Sequence, residues 1–353
     1  MPVSVRAAHL AADLSCSPSA PALLDDVARR ADADRGDPAR AAMLARDLGE
    51  RLPLPGSGST LLVWEALATL GAADLTVARV VEPHLDALAV LDQAGDPGDA
   101  RNRFWGVYAA EGPPPRLEAF ERADGWRLTG RKHWCSVASL VDAALVTAWV
   151  DDERRGLFAV SLADEGVQHV EDQQWVARGL PRVTSTALDL QAVRAEPVGE
   201  PGWYLSRPGF AWGGMGVAAV WYGGAVGVAR RLAAQASRRE PDQVALVHLG
   251  AVDAALHRAR CVLSSAARDV DAGRAEGPAG ALLALRVRQV VRESAEEVLR
   301  RADHALGPGP LAAEEEHAAR VADLHLYLRQ EHAERDQAAL GRALVDLCGE
   351  GAW

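Results

Sequence analysis

The residue pattern changes character twice along the chain, near residue 104 and again near residue 200. The first part is rich in alanine, leucine and arginine, and its apolar residues recur at helical spacing. The middle block contains short β-favouring runs separated by turns, at Ala143–Val150, Gly156–Leu162, Val167–Val176 and Thr184–Val193. The helical pattern then returns in four long segments, Gly209–Ala236, Asp242–Ala272, Ala279–Leu306 and Leu311–Leu347.

This segregated order predicts an α+β fold with three domains. We expect an N-terminal helical domain at residues 1–104, a middle β domain at 105–200, and a C-terminal four-helix bundle at 201–353. Within the first domain, Asp74 or Thr76 is predicted to cap a helix that continues through Glu82, and His84 falls just past its end.

Composition excludes several classes of protein. The formal net charge of −11 disfavours a nucleic-acid partner or an anionic membrane surface. The stretch Pro208–Ala229 has no charged residue, but its seven glycines give little drive for membrane insertion, so we expect a buried helix. The N-terminus lacks the pattern of a signal peptide. Four scattered cysteines without metal-ligand spacing suit a reducing compartment, which predicts a cytoplasmic protein without a metal site: Cys16, Cys135, Cys261 and Cys348.

The segment from Trp126 to Trp149 carries the strongest functional signal. It reads as strand, turn, strand, a loop of small residues, and a further strand. Trp134 and Ser136 are two residues apart, so within one extended segment their side chains would share a face. An indole that stacks and a hydroxyl that donates a hydrogen bond suit a planar ring system. The alternative is that Trp134 and Ser136 have no ligand, and are simply a core residue and an edge residue on one side of a strand.

The spacing Gly130-x-Lys132-x-Trp134-x-Ser136 resembles the flavin-contacting strand of the acyl-CoA dehydrogenase family. The order and sizes of the three predicted domains are similar to that family's fold. The resemblance implies a bound FAD, with Trp134 and Ser136 against the flavin ring, and a homodimer or homotetramer. It also implies that Val107, Ala109 and Ala110 offer backbone groups to the flavin, because Glu111 matches a family glutamate. The chain departs from the family at Gly112-Pro-Pro-Pro, where a Gly-Ser loop near phosphate is absent.

Further matches to the family lie in the C-terminal part. Gln243 opens a segment similar to the second bundle helix, and His304 and Gly307 match a turn that approaches the partner subunit's FAD. Gly307 equally well ends a helix, and the family's Arg-x-x-Phe-Gly motif is not visible. The glycine cluster at 213, 214 and 216 lacks the strand context of a nucleotide loop, and the cluster at 223, 224 and 227 favours close helix packing.

Glu331 is the candidate catalytic base. It lies eight residues beyond Asp323, the spacing that the family uses for its catalytic glutamate, and it would share an apolar helix face with Leu324, Tyr327 and Leu328. Such a face would raise the pKa of the carboxyl and make it a usable base. The alternative is a solvated helix end in which Glu331 pairs with Arg335.

The resemblance implies an FAD-dependent oxidoreductase that introduces an α,β double bond into an acyl thioester, on CoA or on a carrier protein. An electron-transfer flavoprotein would then accept the electrons. Two alternatives stay open. A flavin-dependent monooxygenase on the same fold needs no glutamate base, and His325 and His332 are compatible with it. A non-catalytic subunit of a hetero-oligomer would explain the missing Gly-Ser loop and the missing arginine motif.

Overall fold

The helices and strands of this computed structural model follow the segregated order predicted from the sequence. The structure describes residues 7–8, 10, 20–95, 100–170, 175–238 and 240–348. Cys16 and residues 171–174 of the predicted run Val167–Val176 lie outside these ranges. The N-terminal helices are α1 (Ala20–Ala33), α2 (Pro38–Arg51), α3 (Thr60–Ala73) and α4 (Leu75–Gln93).

The strands and the remaining helices follow in two blocks. The strands are β1 (Trp105–Tyr108), β2 (Glu118–Arg122), β3 (Gly125–Ser136), β4 (Ala143–Trp149), β5 (Arg155–Ser161), β6 (Val167–His169) and β7 (Ser185–Pro197). The later helices are α5 (Trp203–Ser206), α6 (Pro208–Arg238), α7 (Gln243–Asp271), α8 (Gly277–Leu306), α9 (Pro308–Ala313), α10 (Glu315–Tyr327) and α11 (Glu334–Cys348). The predicted α+β class is therefore confirmed. No helix in the described ranges is long and apolar enough to cross a membrane.

The strand block closes on itself. Strands pair in the order β4–β2–β3–β7–β5, and β5 returns to pair with β4, while β1 and β6 add to β4 and β7. Most neighbours are antiparallel, but β1 runs parallel to β4. Side chains that alternate toward the inside form one apolar cluster, including Leu128, Val146 and Phe158. This closed arrangement holds the ends of β1 and β3 next to each other, where the candidate flavin residues lie.

Two helix predictions were wrong. The helix predicted to end near Glu82 continues through Pro83 to Gln93 as α4, so Glu82, His84 and Asp86 share one helix. A proline inside a helix removes one hydrogen bond, but the buried residues on either side of Pro83 outweigh that loss. The single helix predicted at Leu311–Leu347 is interrupted by a 3₁₀ turn at Leu328–Gln330 and by Ala333, whose φ is +47°. Asp74 caps α4 as predicted, accepting a hydrogen bond from the Val77 amide.

Glycines allow α3 and α6 to pack backbone against backbone. A Cβ on Gly71 would lie 2.5 Å from the Val220 carbonyl oxygen, and one on Gly223 would overlap the carbonyl of Ala68. On the same helix, Gly224 faces Leu324 and Leu75, and Gly227 faces the buried Arg320 guanidinium. The packing role predicted for these α6 glycines is confirmed.

Gly223→Ala is expected to lower the free energy of unfolding by about 1–3 kcal/mol or more, because the new methyl group must push two helix backbones apart. Chemical denaturation measures this effect. Gly250→Ala on α7 is the matched control, since a Cβ there meets nothing within 4 Å. That control should be neutral or stabilising, because alanine is the better helix former. Equal stabilities for the two variants would contradict the close α3–α6 contact.

Candidate active site

A buried lysine anchors the segment that contains Trp134 and Ser136. The Lys132 side chain is 3% exposed. Its Nζ donates to Glu111 Oε1 at 3.0 Å and to the carbonyl and hydroxyl oxygens of Thr147, both at 2.9 Å. Glu111 also accepts from Trp149 Nε1 and from Arg155, each at 3.1 Å. This network joins the ends of β1 and β3 to β4 and β5.

The network also sets the charges of its members. Burial lowers the pKa of Lys132, although Glu111 opposes that shift. Burial by itself would raise the pKa of Glu111, but the neighbouring Lys132, Trp149 and Arg155 hold it below its ordinary value. The geometry is that of an ion pair, with Lys132 Nζ 3.0 Å from Glu111 Oε1. An ion pair with this many partners holds the strand ends in one geometry.

The backbone is bulged at Trp134. The pairing of β3 with β7 passes from Lys132↔Leu188 to Cys135↔Thr186, so β3 carries one extra residue. Trp134 has φ +62° and Val137 has φ +47°, both in the left-handed region that costs non-glycine residues energy. The prediction that Trp134 and Ser136 share a face of one extended segment was therefore wrong. The bulge leaves the indole half exposed while Ser136 stays buried.

Ser136 lies where three elements meet. Its hydroxyl is 2.8 Å from the Ser185 hydroxyl on β7 and accepts from Arg79 Nη2 of α4 at 3.2 Å. The Tyr108 hydroxyl at the end of β1 donates to the Ser136 carbonyl oxygen at 3.1 Å. The candidate residues of β1 and β3 are thereby brought together. Val107 is half-buried, the Ala109 carbonyl accepts from the Thr147 hydroxyl at 3.3 Å, and Ala110 is exposed.

A cavity of about 820 Å³ lies between α4, α6, α8 and the segment before α11. Arg79, which touches Ser136, lies 3.8 Å from Glu82 Oε2, and Glu82 lines the cavity. The walls combine apolar and charged side chains. The apolar ones include Phe210, Val217 and Leu285, and the ionisable ones are Glu82, Asp86, Arg207, Arg288, His332 and Asp336.

Glu82 is a cavity carboxyl whose ionisation is strongly altered. Its side chain is 12% exposed. Burial raises its pKa to about 7, against the opposing effect of Arg79 and Arg288 and with a further contribution from Asp86. A carboxyl with this pKa is partly ionised at neutral pH and can either accept or give up a proton. Sequence reasoning missed Glu82 because the helix was predicted to end at that residue. The available signal was the charged stripe at residues 79, 82 and 86 in an otherwise apolar stretch.

Arg288 lies along one wall. Its Nη1 donates to the Gly214 carbonyl at 2.8 Å and its Nη2 donates to the Gln330 carbonyl at 3.4 Å, while the guanidinium stacks on Trp221 at 4.7 Å. These contacts hold the segment that precedes α11 against α6 and α8. The cavity wall is thus supported by hydrogen bonds to backbone rather than by side-chain packing alone.

Glu331 is placed differently from the prediction. It follows the 3₁₀ turn instead of lying on a helix face with Leu324, Tyr327 and Leu328. Its side chain is 1% exposed, Arg292 Nε lies 2.6 Å from Oε2, and Oε2 accepts from the Ala333 amide at 2.9 Å. Burial raises its pKa. Gln330 and His332 on either side line the cavity, whereas this carboxylate is directed to Arg292. The solvated pair with Arg335 is not formed either.

The remaining predicted residues form a second group. Gln243 is exposed at the start of α7, and Gly307, with φ +66°, ends α8. His304 is exposed, and its ring lies 6.0 Å from the buried His248 of α7. His304 is sixteen residues beyond Arg288 on α8, or about 24 Å along the helix axis. Within one chain His304 and Gly307 are therefore remote from the cavity wall at Arg288. His325 is exposed on α10.

Comparison with known proteins identifies the fold. No protein-family model matches the chain, and no curated protein does. Glutaryl-CoA dehydrogenase from Mycobacterium smegmatis is 20% identical, with 96% of this chain and 97% of that chain covered at a TM-score of 0.80. Dibenzothiophene monooxygenase (TdsC) from Paenibacillus sp. A11-2 is 20% identical, with 91% and 95% covered at 0.76. KijD3, in complex with FMN and a dTDP-linked amino sugar, is 18% identical, with 95% of each chain covered at 0.78.

The chain has the acyl-CoA dehydrogenase fold. The predicted fold is therefore confirmed, as a divergent example. In the loop after β1, residues 113–115 are prolines and carry no N–H that could bind a phosphate. The Pro113 carbonyl lies 3.0 Å from His133 Nε2. The loop thus packs against its own strand. No cluster of His, Cys, Asp and Glu side chains suited to a metal ion occurs in the described part of the chain.

Glu82→Gln is expected to change how stability depends on pH. The folded-state pKa of Glu82 lies above that of the unfolded chain, so the folded protein binds the proton more tightly between about pH 4.5 and 7. This group therefore lowers the free energy of unfolding as pH rises through that window. Above pH 7 the variant should exceed the parent by about 2–3 kcal/mol, and near pH 4.5 the two should agree.

Denaturation over a pH series measures the difference between parent and variant. Glu50→Gln, an exposed position on α2, serves as the control for loss of one carboxylate. A Glu82→Gln curve that runs parallel to the parent curve at every pH would refute the assignment.

Proposed function

We propose that this protein is a flavin-dependent oxidoreductase whose substrate occupies the cavity beside Ser136. The observation that carries the proposal is the continuous path from Ser136 through Arg79 to Glu82. It connects Ser136, on the strand that resembles a flavin-contacting strand, to a partly ionised carboxyl that lines the cavity. Perturbed carboxyls in a cleft are frequent at catalytic centres.

Trp134, Ser136 and the backbone of Val107, Ala109 and Ala110 would hold the flavin ring. The strained backbone at Trp134 and Val137 supports this assignment, because strain is retained where the surrounding structure holds a segment for function. The half-exposed indole and the buried hydroxyl suit one aromatic ring and its heteroatoms. TdsC and KijD3 have been crystallised with FMN.

The flavin is proposed to be FAD, shared between subunits of a homodimer or homotetramer. Gln243, His304 and Gly307 would then contact the FAD of a neighbouring subunit, which is compatible with the distance of His304 from Arg288 along α8. FMN is the alternative. It is favoured by residues 113–115, which offer no N–H to a second phosphate. Release of the cofactor by heat and chromatography beside FAD and FMN standards separates the two.

The reaction that we propose first is dehydrogenation of an acyl thioester. The α carbon would lose its proton to ionised Glu82 rather than to Glu331, since Glu331 is buried against Arg292. When bound, the flavin accepts the hydride from the β carbon, which leaves an α,β double bond. An electron-transfer flavoprotein would be the electron acceptor. The thioester would be carried by CoA or by a carrier protein.

A flavin-dependent monooxygenase is the second candidate. The observation that favours it is the position of Glu331, because the chain lacks an exposed carboxylate where the family resemblance places the base. His332 lines the cavity, 3.5 Å from Asp336, and offers a different group for proton transfer. Such an enzyme would take reduced flavin from a reductase and use oxygen.

Trp134→Ala is expected to lower the flavin content of purified protein well below that of the parent, because stacking on an indole stabilises a bound ring by on the order of 1 kcal/mol beyond burial. The ratio of flavin to protein absorbance measures this. Phe120→Ala removes an exposed aromatic ring from β2 of the same sheet and is the control. If Trp134→Ala keeps the flavin content of the parent, the flavin does not bind against Trp134. Colourless parent protein that takes up no added flavin would instead support the non-catalytic subunit.

Glu82→Gln is expected to slow anaerobic bleaching of the flavin by acyl thioesters about 10²-fold or more, since it removes the proton acceptor but keeps the shape. Glu331→Gln should bleach within a few-fold of the parental rate. Stopped-flow absorbance measures both. The reverse result would return the role to Glu331. A parent that no thioester bleaches, but that consumes oxygen with reduced flavin, would support the monooxygenase.

A further inference from the structure

The far end of the cavity contains a polar pair that the proposed reaction does not use. Asp86 and Arg207 line the cavity and also a smaller adjoining one, so they form the wall between the two. Arg207 Nη2 lies 3.5 Å from Asp86 Oδ1, and Arg207 Nη1 donates to Gln93 Oε1 at 2.8 Å. The Arg207 side chain is 2% exposed and that of Asp86 is 19% exposed. This is a buried charged pair at the edge of an open space.

The pair has unused hydrogen-bonding capacity. Arg207 Nε has no acceptor among the described residues, although it is buried. An unpaired buried donor costs about 1–3 kcal/mol, which a bound ligand atom would offset. Asp86 meets Arg207 only at 3.5 Å, so its carboxylate can still accept a hydrogen bond from a ligand.

Two glycines of α6 keep room for this pair. A Cβ on Gly209 would overlap the Arg207 guanidinium, and a Cβ on Gly213 would lie 2.7 Å from Asp86 Oδ1. Gly209 and Gly213 are four residues apart, so they face the same side of the helix. Because Gly213 has no side chain, α6 does not cover Asp86. Unlike the glycines of the α3–α6 contact, these two leave space around polar atoms.

The position of Asp86 and Arg207 determines which part of a bound substrate would contact them. Arg79, at Ser136, and Asp86 are seven residues apart on α4, which is about 10 Å along the axis. Phe210, Val217 and Leu285 line the cavity with Asp86. A substrate reacting beside Ser136 would therefore pass apolar walls before its remote end met Asp86 and Arg207. A methyl group at that end would leave both polar groups unsatisfied.

We propose that the substrate ends, on the side remote from its reacting carbons, in a neutral group that both donates and accepts a hydrogen bond, such as a hydroxyl or a carboxamide, bound by Asp86 and Arg207. A charged end group would be attracted to one member of the pair and repelled by the other. The inference rests on the proposed function for the orientation of the substrate. It does not depend on which of the two reactions takes place.

Binding of unreactive analogues tests the inference. We would titrate the flavin-loaded full chain calorimetrically with octanoyl and 8-hydroxyoctanoyl amides of cysteamine, in which nitrogen replaces the thioester sulfur. The 8-amino and 8-carboxy analogues test charged ends. The hydroxyl-ended analogue is expected to bind about tenfold more tightly than the methyl-ended one, or better, as one charge-assisted hydrogen bond provides. This comparison of binding needs no turnover. It can therefore be interpreted even if acyl thioesters do not bleach the flavin.

Substitutions at Asp86, Arg207 and Gly213 test whether the preference for the hydroxyl-ended analogue comes from this pair. Asp86→Ala would leave Arg207 buried without its partner and risks misfolding, so Asp86→Leu is combined with Arg207→Leu. The double variant should lose the preference for the hydroxyl, and Gly213→Ala, which displaces the Asp86 carboxylate, should weaken it. Asp92→Asn, exposed on the same helix, should keep it. Equal or tighter binding of the methyl-ended analogue to the parent would overturn the inference, as would preference for a charged end or no binding of any analogue.

Discussion

The ion pair between the buried Lys132 and the exposed Glu111 is the interaction on which the candidate site depends. A lysine this deep in a β domain requires a full set of acceptors, and they come from the end of β1 and from β4. The same contacts hold the end of β3 in place, so the following residues can take a strained backbone without relaxing. Helix α4 reaches Ser136 through Arg79, which also lies 3.8 Å from Glu82 on the cavity wall.

The amino-acid sequence predicts the arrangement of layers well, because strand-forming and helix-forming residues are segregated into blocks. The packing role of the α6 glycines was also predictable, since a row of glycines along one helix face removes the side chains that would hold a neighbouring helix away. The strand of Lys132, Trp134 and Ser136 was recognised by its resemblance to a known pattern. The bulge within it was not predictable, because a tryptophan in the left-handed region breaks the usual residue preference.

Glu82 and Glu331 illustrate why the candidate site was harder to predict from the sequence than the fold. Pro83 is a reasonable helix end by local rules, and only the burial of α4 on both sides of it keeps the helix continuous and places Glu82 in the cavity. For Glu331 the error was the opposite one, because the helix was predicted to be longer than it is. A helical register was extended across a segment that turns, and the carboxylate came to face Arg292. In both cases tertiary contacts overrode a local pattern.

The charged residues in and beside the cavity have a consequence for the ligands that it admits. Three arginines (Arg79, Arg207 and Arg288) face three carboxylates (Glu82, Asp86 and Asp336), so the fully ionised set is electroneutral. Because the pKa of Glu82 is about 7, the set gains one positive charge when this residue is protonated, within the pH range of most cells. Transfer of that proton during a reaction would therefore change the electric field felt by a molecule bound in the cavity.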